Sequence, residues 1–433
     1  MLKNVYMVER RWDWMKLLWI GVDDTDSVNG GCTTYWAVTL MEELRERWHV
    51  GLPRLIRLNP TIPYKTRGNG AVAIPVWGDI DIEELADLCR KHLDNNCWLD
   101  DRNTNPGLVI VEEIHEKLRI FAKKALRDVM TYEEAMELIE DLDIQHYALR
   151  NGRGVVGALA AVGLDVRDPT YELLTYRHPS RFGTQREVDR NSVFKADEIA
   201  YPLVWDTVDR ENDEVVFTPG SPDPVLFGIR GKSVFAIIRA FLIIRSEEID
   251  KFQLFITNQS TDMHLIPEKE VDVLRDYRSY RLKGVVIEKP YTHIGGHVFF
   301  YLETRFGKVK CAAYEPTKQF RNVIRALHPG DEIVVYGSMK KRTVNLEKIE
   351  IIKLAKIVDY KNPVCWVCGK SMESAGKNQG FRCKRCKTSA ESKIEVEIPR
   401  ELSPGLYEVP PRARRHISMP LIRVKGKNIH PFR

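Results

Sequence analysis

Residues 17–44 read LLWIGVDDTDSVNGGCTTYWAVTLMEEL. Leu17 to Val22 is an apolar run of strand length that stops at an acidic turn, Asp23-Asp24-Thr25-Asp26-Ser27. A glycine-bearing loop follows, and from Thr33 the apolar residues Ala37, Leu40, Met41, Leu44 and Trp48 recur at helical spacing. Three carboxylates at one strand end repel each other unless a cation intervenes, and magnesium held with a nucleotide phosphate is the usual cation for such a place. Thr33 and Thr34 open the helix, where unpaired N–H groups and the helix dipole favour a phosphate. Clusters of Asp, Ser and Thr also build ordinary turns and N-caps, so spacing alone leaves both readings open. The chain contains no GxxxxGK followed by Ser or Thr, which excludes an ordinary P-loop enzyme.

Outward from this unit, residues 55–58 and 71–76 have strand character, and between them LNPTIPYKTRGNGA (58–71) is too rich in Pro, Gly and Asn for a regular element. Helical patterns are expected over 82–94, 111–130 and 132–141. NGRGVVGALAAVG (151–163) reads as a glycine loop feeding a helix of small residues, and YELLTYR (171–177) as a strand. A charged, turn-rich stretch runs to about 230, and the apolar run 233–244 fits a buried helix or a strand equally. Boundaries are expected near 150 and 278. Thr25 and Ser27 in the acidic turn are assigned to the nucleotide site. So are the loop residues Lys65, Arg67, Asn69, Asn105, Gly152, Arg153 and Gly154, which are polar or glycine positions able to hold phosphates.

From 280 to 357 the patterns are clearer. RLKGVVIEKPYTH, HVFFYLET and KVKCAAYE are strands, TKQFRNVIRAL is a helix, and DEIVVYGSMK and VNLEKIEIIKL are two further strands. Five strands with a helix after the third match an OB barrel, a fold that commonly carries single-stranded nucleic acid on one face. Phe299, Tyr301, Tyr314, Lys308 and Lys310 are the candidate contacts; the aromatics are equally eligible as barrel core. Next come Cys365-x-x-Cys368 and Cys383-x-x-Cys386, the spacing of two knuckles that share one tetrahedral zinc. Gly369 allows the tight turn after the first pair. With four protein ligands the ion has no open position, so its expected role is structural.

The formal charge of +5 conceals an asymmetry: residues 361–433 hold sixteen Lys/Arg against six Asp/Glu, so the rest of the chain is acidic. A basic end on an acidic body suggests a docked polyanion. Lys384, Arg385 and Lys387 on the second knuckle, and Arg412, Arg414, Arg415, Arg423, Lys425, Lys427 and Arg433 beyond it, are the expected phosphate contacts. Hydrophobic residues at 43% and charged residues at 29% give a globular balance, not a disordered one. No apolar run reaches membrane-spanning length and no secretory leader is legible. The first sixteen residues read as an extension, or as sequence upstream of a start at Met15. The cysteines form a metal cluster rather than a disulfide framework, so the expected location is cytoplasmic.

GVDDTDSVNGGCTTYWA (21–37), RLNPTIPYKTRGNGA (57–71), TNPGLVI (104–110), NGRGVVGALAAVG (151–163) and SPDPVLFGIRG (221–231), with a barrel and ribbon in this order, resemble the archaeal tRNA(Ile) 2-agmatinylcytidine synthetases. The resemblance runs from about Leu17 onward. It implies a multidomain α+β protein: a kinase-like α/β catalytic domain over 1–150, a ferredoxin-like domain over 151–278, an OB-fold over 279–358, a zinc ribbon over 359–392 and a basic C-terminal tail over 393–433. It implies an ATP-dependent ligase that conjugates agmatine to the wobble cytidine of tRNA(Ile) with a CAU anticodon, through a phosphorylated base, with no obligatory protein partner and no membrane. ATP, magnesium and structural zinc are the implied cofactors. Asp23, Asp24 and Asp26 hold the magnesium, and Thr33, the first Thr after the Cys of GGCTT, takes up phosphate. Agmatine's guanidinium wants a carboxylate, for which Asp165, Asp168, Asp189 and Asp223 stay open. The competing expectation is a non-enzymatic single-stranded RNA-binding protein built on the barrel and ribbon, which leaves the acidic turn and the first 270 residues without a task.

Overall fold

The structure, a computed structural model, describes residues 16–66, 68–426 and 428–433; the expectations for Arg67, Lys427 and the N-terminal extension up to Met15 lie outside the described residues. The run read first is strand β1 (Lys16–Asp23). Its alternation sends Leu18, Ile20 and Val22 to one face and Trp19 to the other. Asp23, in step with Trp19 and Gly21, therefore ends on the second face. Helix α1 (Thr33–Arg45) stops short of Trp48, which is nevertheless buried and donates from its indole to Asp79 O at 3.2 Å. There follow β2 (Arg54–Arg57), β3 (Gly70–Gly78), α2 (Ile82–Asn96), β4 (Gly107–Val111), α3 (Glu116–Arg127), α4 (Tyr132–Leu142), β5 (Gln145–Ala148) and α5 (Gly154–Gly163). The helix expected from 111 begins at Glu116, because GLVIV is a fully buried strand beside β1.

The next stretch holds β6 (Thr170–Arg177), α6 (Arg190–Ala200), β7 (Val225–Gly231), α7 (Val234–Phe241) and β8 (Ile249–Thr257). Helix α6, hidden in the stretch read as turns, starts where Asp189 accepts from Asn191 N and Ser192 N. The apolar run 233–244 is a helix, capped by Ser233. One ten-stranded sheet includes the path β5-β4-β1-β3-β2-β8-β6-β7, with Val204–Trp205 beyond β7. Along this path only β8–β2 is parallel, with Ile256 opposite Arg54. The chain-level α+β class is observed, but the first half lacks the parallel sheet of an α/β domain: β1 pairs with β3 rather than with β2, and every neighbouring pair in β5-β4-β1-β3-β2 is antiparallel, so α1 and α2 link co-directional strands that have an antiparallel strand between them. α1 and α2 cover the face of Leu18, Ile20 and Val22; α3, α4 and α5 cover the other. Packing does not part at 150, since α5 lies against β1, β3 and β4 with all ten of its residues buried.

Strands β9 (Ser279–Val286), β10 (Val298–Thr304), β11 (Gly307–Ala313), β12 (Glu332–Lys340) and β13 (Thr343–Lys353), with α8 (Phe320–Arg325) between the third and fourth, form a closed five-stranded barrel. The circuit is β9-β10-β11-β13-β12 and back to β9, parallel only at β11–β13. Closure leaves no unpaired edge inside the circuit. β14 (Ile357–Lys361) and β15 (Ile394–Ile398) pair as a stalk for the ribbon. The chain then returns: β16 (Gly405–Glu408) pairs with β13, and β17 (Ile429–His430) with β16. The described residues of 393–433 are thus a correction to the expected tail, because they are folded onto the body. No helix among the described residues is long and apolar enough to cross a membrane.

Candidate active site and zinc centre

The end of β1 is pressed against the start of α5 by missing side chains. A Cβ on Gly157 would overlap the Asp23 carboxylate, and one on Gly107 would overlap the backbone at Val155. The small residues of NGRGVVG therefore bring a helix start flush with the acidic turn. Asp24 adopts a left-handed φ of 62°, a conformation that Asp and Asn tolerate best among non-glycine residues. Its Oδ2 accepts from Asn105 N at 2.9 Å, Asp23 Oδ1 accepts from Asp24 N at 2.8 Å, and Asp26 Oδ1 accepts from Thr66 Oγ1 at 3.0 Å.

Asp23, Asp24 and Asp26 line one cleft together with Lys65, Asn69, Arg153, Gly154 and Asp128. Arg153 lies over the Tyr64 ring, 4.1 Å from its centroid. Burial pushes the Asp23 carboxyl well up, and repulsion from Asp24 and Asp26 adds to it against the pull of Arg153. Burial likewise pushes Asp24 up to about 7. Among the described residues the cleft is thus short of positive charge. Its donors are hard oxygens, which suit magnesium, an ion that takes one or two carboxylates and completes its shell with phosphate and water.

Asp26 and Gly68 also line a second cleft, so the two meet. It contains Thr33 and Thr34 at the start of α1, then Arg57, Glu172, Asp223, Arg230 and His416. Thr33 Oγ1 accepts from Thr25 Oγ1 at 3.3 Å. Of the four carboxylates left open for a guanidinium, only Asp223 is here, with Arg186 at 3.1 Å. Asp189 caps α6, Asp165 pairs with Arg167, and Asp168 pairs with Lys232 and Arg423.

Several assignments need correction. Thr25 and Ser27 are buried and outside the first cleft; Thr25 supports Thr33, and Ser27 Oγ accepts from Asn29 N at 3.0 Å within the turn. Asn105 is a brace, with its N–H on Asp24 and its carbonyl accepting from Gly154 N at 2.9 Å. Gly152, at φ +67, shapes the loop without lining the cleft. Sequence reasoning missed Thr66, Arg57, Glu172 and Arg230, although three of these lie inside quoted motifs; His416 gave no signal.

The four cysteines of the ribbon place their sulfurs within 4.8 Å of one another, the only such set of potential metal ligands among the described residues. A tetrahedral zinc with Zn–S of about 2.3 Å needs sulfurs about 3.8 Å apart, and Cys368 and Cys383 stand at 3.6 Å. The two knuckles share one turn: Gly369 N donates to Cys365 O at 2.8 Å and Lys387 N to Cys383 O at 2.9 Å, with Gly369 and Lys387 both left-handed. The apolar core here is little more than the cysteines, Met372 and Phe381, too small to hold the unit without its ion. Cys383→Ser is expected to drop bound zinc from one equivalent to none by elemental analysis and to expose the ribbon to protease, while ATP binding survives. A ribbon that stays protease-resistant without zinc would contradict the structural role.

Lys384, Arg385 and Lys387 are exposed on the second knuckle and Trp366, at 70% exposure, on the first. On the barrel, alternation puts Phe300 inside and leaves Phe299 and Tyr301 outside, with Lys310 and Lys308 over their rings at 4.4 and 4.0 Å. Tyr314 joins this outer group, 6.1 Å from Phe299. The arginines of the C-terminal segment are paired with acids: Arg412 with Glu214, Arg414 with Asp206 and Glu408, Arg415 with Glu347, Arg423 with Asp168 and Arg433 with Asp197. Arg414 is buried, so its assignment to RNA is corrected; Lys425 remains exposed.

Family models match the chain in three stretches: the TiaS TCKD domain over residues 19–151, the TiaS FLD domain over 152–264 and the TiaS C-terminal zinc ribbon domain over 362–402. The tRNA(Ile) 2-agmatinylcytidine synthetase TiaS of Archaeoglobus fulgidus is 55% identical over 419 residues, covering 96% of this chain and 100% of its own. That of Methanosarcina mazei is 48% identical over 421 residues, covering 95% and 98%. Crystal structures of apo TiaS and of TiaS with its isoleucine tRNA, AMPCPP and agmatine resemble this fold with TM-scores of 0.92 and 0.89, at 54% and 52% identity. Each covers 96% of this chain and 100% of the other.

Proposed function

The chain belongs to the tRNA(Ile) 2-agmatinylcytidine synthetase family, and from that membership we propose that it joins agmatine to the wobble cytidine of the isoleucine tRNA at the expense of ATP. The observation that carries the reading is the meeting of two clefts at Asp26 and Gly68, one lined by carboxylates and the other by Thr33 and Asp223. A non-enzymatic RNA binder has no use for this arrangement, and the matched relatives are synthetases.

A carbonyl oxygen is a poor leaving group. Phosphorylating the C2 oxygen of cytosine turns it into one: the primary amine of agmatine attacks C2, the C2–O bond breaks, and the oxygen departs as phosphate. Phosphoryl transfer asks mainly for positioning and neutralised charge. Asp23, Asp24 and Asp26 are the residues to hold magnesium, which neutralises phosphate charge when bound. Lys65, Arg153 and Asn69 face the phosphates, and Arg67 belongs with them by sequence. Thr33, at a helix start, takes up phosphate. Asp223 receives the guanidinium of agmatine across the second cleft. In this reading the first half is the kinase-like unit and residues 151–278 the ferredoxin-like unit. The outer barrel aromatics, Trp366, Lys384, Arg385, Lys387 and Lys425 grip the tRNA, and the reaction takes place in the cytoplasm.

Incubation with ATP, agmatine and a transcript of the isoleucine tRNA, followed by nucleoside mass spectrometry, tests the reaction; cytidine left unchanged at the wobble position with all three present would sink it. For Thr33, peptide mass spectrometry after incubation with ATP is expected to find a covalent phosphate that Thr33→Ala abolishes. Undiminished phosphorylation of the variant would move the acceptor elsewhere.

A further inference from the structure

After the ribbon the chain crosses back from the barrel to the catalytic half and delivers one side chain into the second cleft. The carbonyl of His416 accepts from Ser260 N at 2.7 Å, and that of Ile417 accepts from Thr261 N at 3.1 Å and Asp262 N at 3.0 Å. Just before it, Arg415 is 3.2 Å from Glu347 and donates to Pro60 O at 3.3 Å, while Arg414 is buried between Asp206 and Glu408. The backbone is therefore fixed on both sides of His416, and the imidazole is left open to the cleft that Thr33 and Asp223 line. A residue held this firmly with its side chain open to a cleft is placed to touch a ligand rather than to fill a core.

The chemistry of the neighbours says what kind of ligand. Arg230 Nη2 lies 3.4 Å from His416 Nε2. A guanidinium only donates, so Nε2 is the accepting nitrogen and the neutral ring carries its proton on Nδ1. Enclosure by the cleft walls, and then the charges of Arg230, Arg57 and Lys65, hold the imidazolium form well below its ordinary range, so the ring stays neutral. Arg57 and Arg230 share one carboxylate, Glu172, at 3.9 and 2.8 Å, and Arg57 Nε finds no hydrogen-bond partner among the described residues. Two guanidiniums and one N–H thus outweigh one carboxylate on this wall, a surface that suits an oxyanion.

We propose that His416 is a substrate-contacting residue, whose Nδ1–H donates, on the side of the ring away from Arg230, to a phosphate oxygen of the RNA target opposite Thr33. The inference rests on the reaction proposed above. Two sources carry that chemistry: a backbone phosphate beside the target nucleotide, and the phosphoryl group in transfer on the base.

The test compares full-length His416→Phe and His416→Asn with the native protein in steady-state agmatine incorporation, with the tRNA dissociation constant measured in parallel. Phe keeps a ring and loses the donor; Asn keeps an N–H near the position of Nδ1. Loss of a hydrogen bond to a charged group is expected to lower kcat/KM for tRNA roughly 10- to 100-fold in the Phe variant, with Asn recovering most of it. A rise in KM and in the dissociation constant identifies the backbone phosphate, and a fall in kcat at unchanged affinity identifies the transferred group. Native behaviour of the Phe variant, or an Asn variant as impaired as Phe, overturns the proposal. Failure of the native protein itself to form product overturns the reaction instead, and the dissociation constants then judge His416: equal values for native and Phe overturn its contact.

Discussion

Asp24→Asn protein is expected to turn over roughly 10²- to 10³-fold more slowly than the native protein, the cost of removing one charge that holds the cation facing the developing phosphoryl charge, with tRNA affinity unchanged. Asparagine is the informative choice. It accepts the left-handed φ of 62° at this position and can still accept from Asn105 N, so the charge alone is lost; alanine would add backbone strain. The same variant has a second signature. The folded protein holds the Asp24 carboxyl at about 7, above its unfolded value of about 3.9. In chelator this group therefore favours folding fully below about pH 4, and the contribution fades as pH rises through about 7. Thermal unfolding in chelator between pH 4 and 8 should show a decline in the native protein that is shallower in Asp24→Asn. Native turnover by this variant would remove the acidic turn from the reaction.

Arg414→Ala is expected to cost about 3–5 kcal/mol of stability, the usual penalty for removing one partner of a buried ion pair. Asp206 and Glu408 are both buried against this guanidinium, and its loss leaves two carboxylates facing each other. Denaturant unfolding reads the loss directly. Salt titration of tRNA binding separates the structural role from an RNA contact: a phosphate contact would change the slope of log K against log salt by roughly 0.7–0.9, whereas a buried cation releases no counterion and leaves it unchanged. Native stability with a flattened slope would return Arg414 to the RNA surface.

How much of this was legible depends on the range of the interactions. β1, α1 and the barrel strands were readable because their apolar periodicity is written locally, and the ribbon because thiolate spacing is nearly a coordinate. The acidic turn was readable as a crowd of charges. The roles of its neighbours were not: Thr25 supports Thr33, and Asn105 braces Asp24, yet both look like loop residues able to meet a nucleotide. α6 was obscured because its exposed face is charged and only its Asp189 cap marks the start. The C-terminal arginines misled for a plain reason. A run of cations with only Glu408 close by looks unpaired, but Arg414, Arg415 and Arg423 also meet Asp206, Glu347 and Asp168, brought close only by the fold. His416 has no sequence signature, since its place in the cleft depends on that same return of the chain.

The parallel pairing of β2 with β8 joins segments that are made far apart in time. During synthesis the acidic turn and Thr33 emerge early and β2 can pair with β3, but its second neighbour comes late: Arg54 pairs opposite Ile256. At about 5–20 residues per second that gap of roughly 200 residues takes about 10–40 s to translate. The crossing segment comes later still, since His416 follows the barrel and the ribbon in the chain. A nascent chain stalled before that segment emerges carries the whole acidic turn and nearly all of the barrel while its second cleft lacks a wall. The catalytic half and the wall that His416 supplies can come together only after the barrel and ribbon between them have been made.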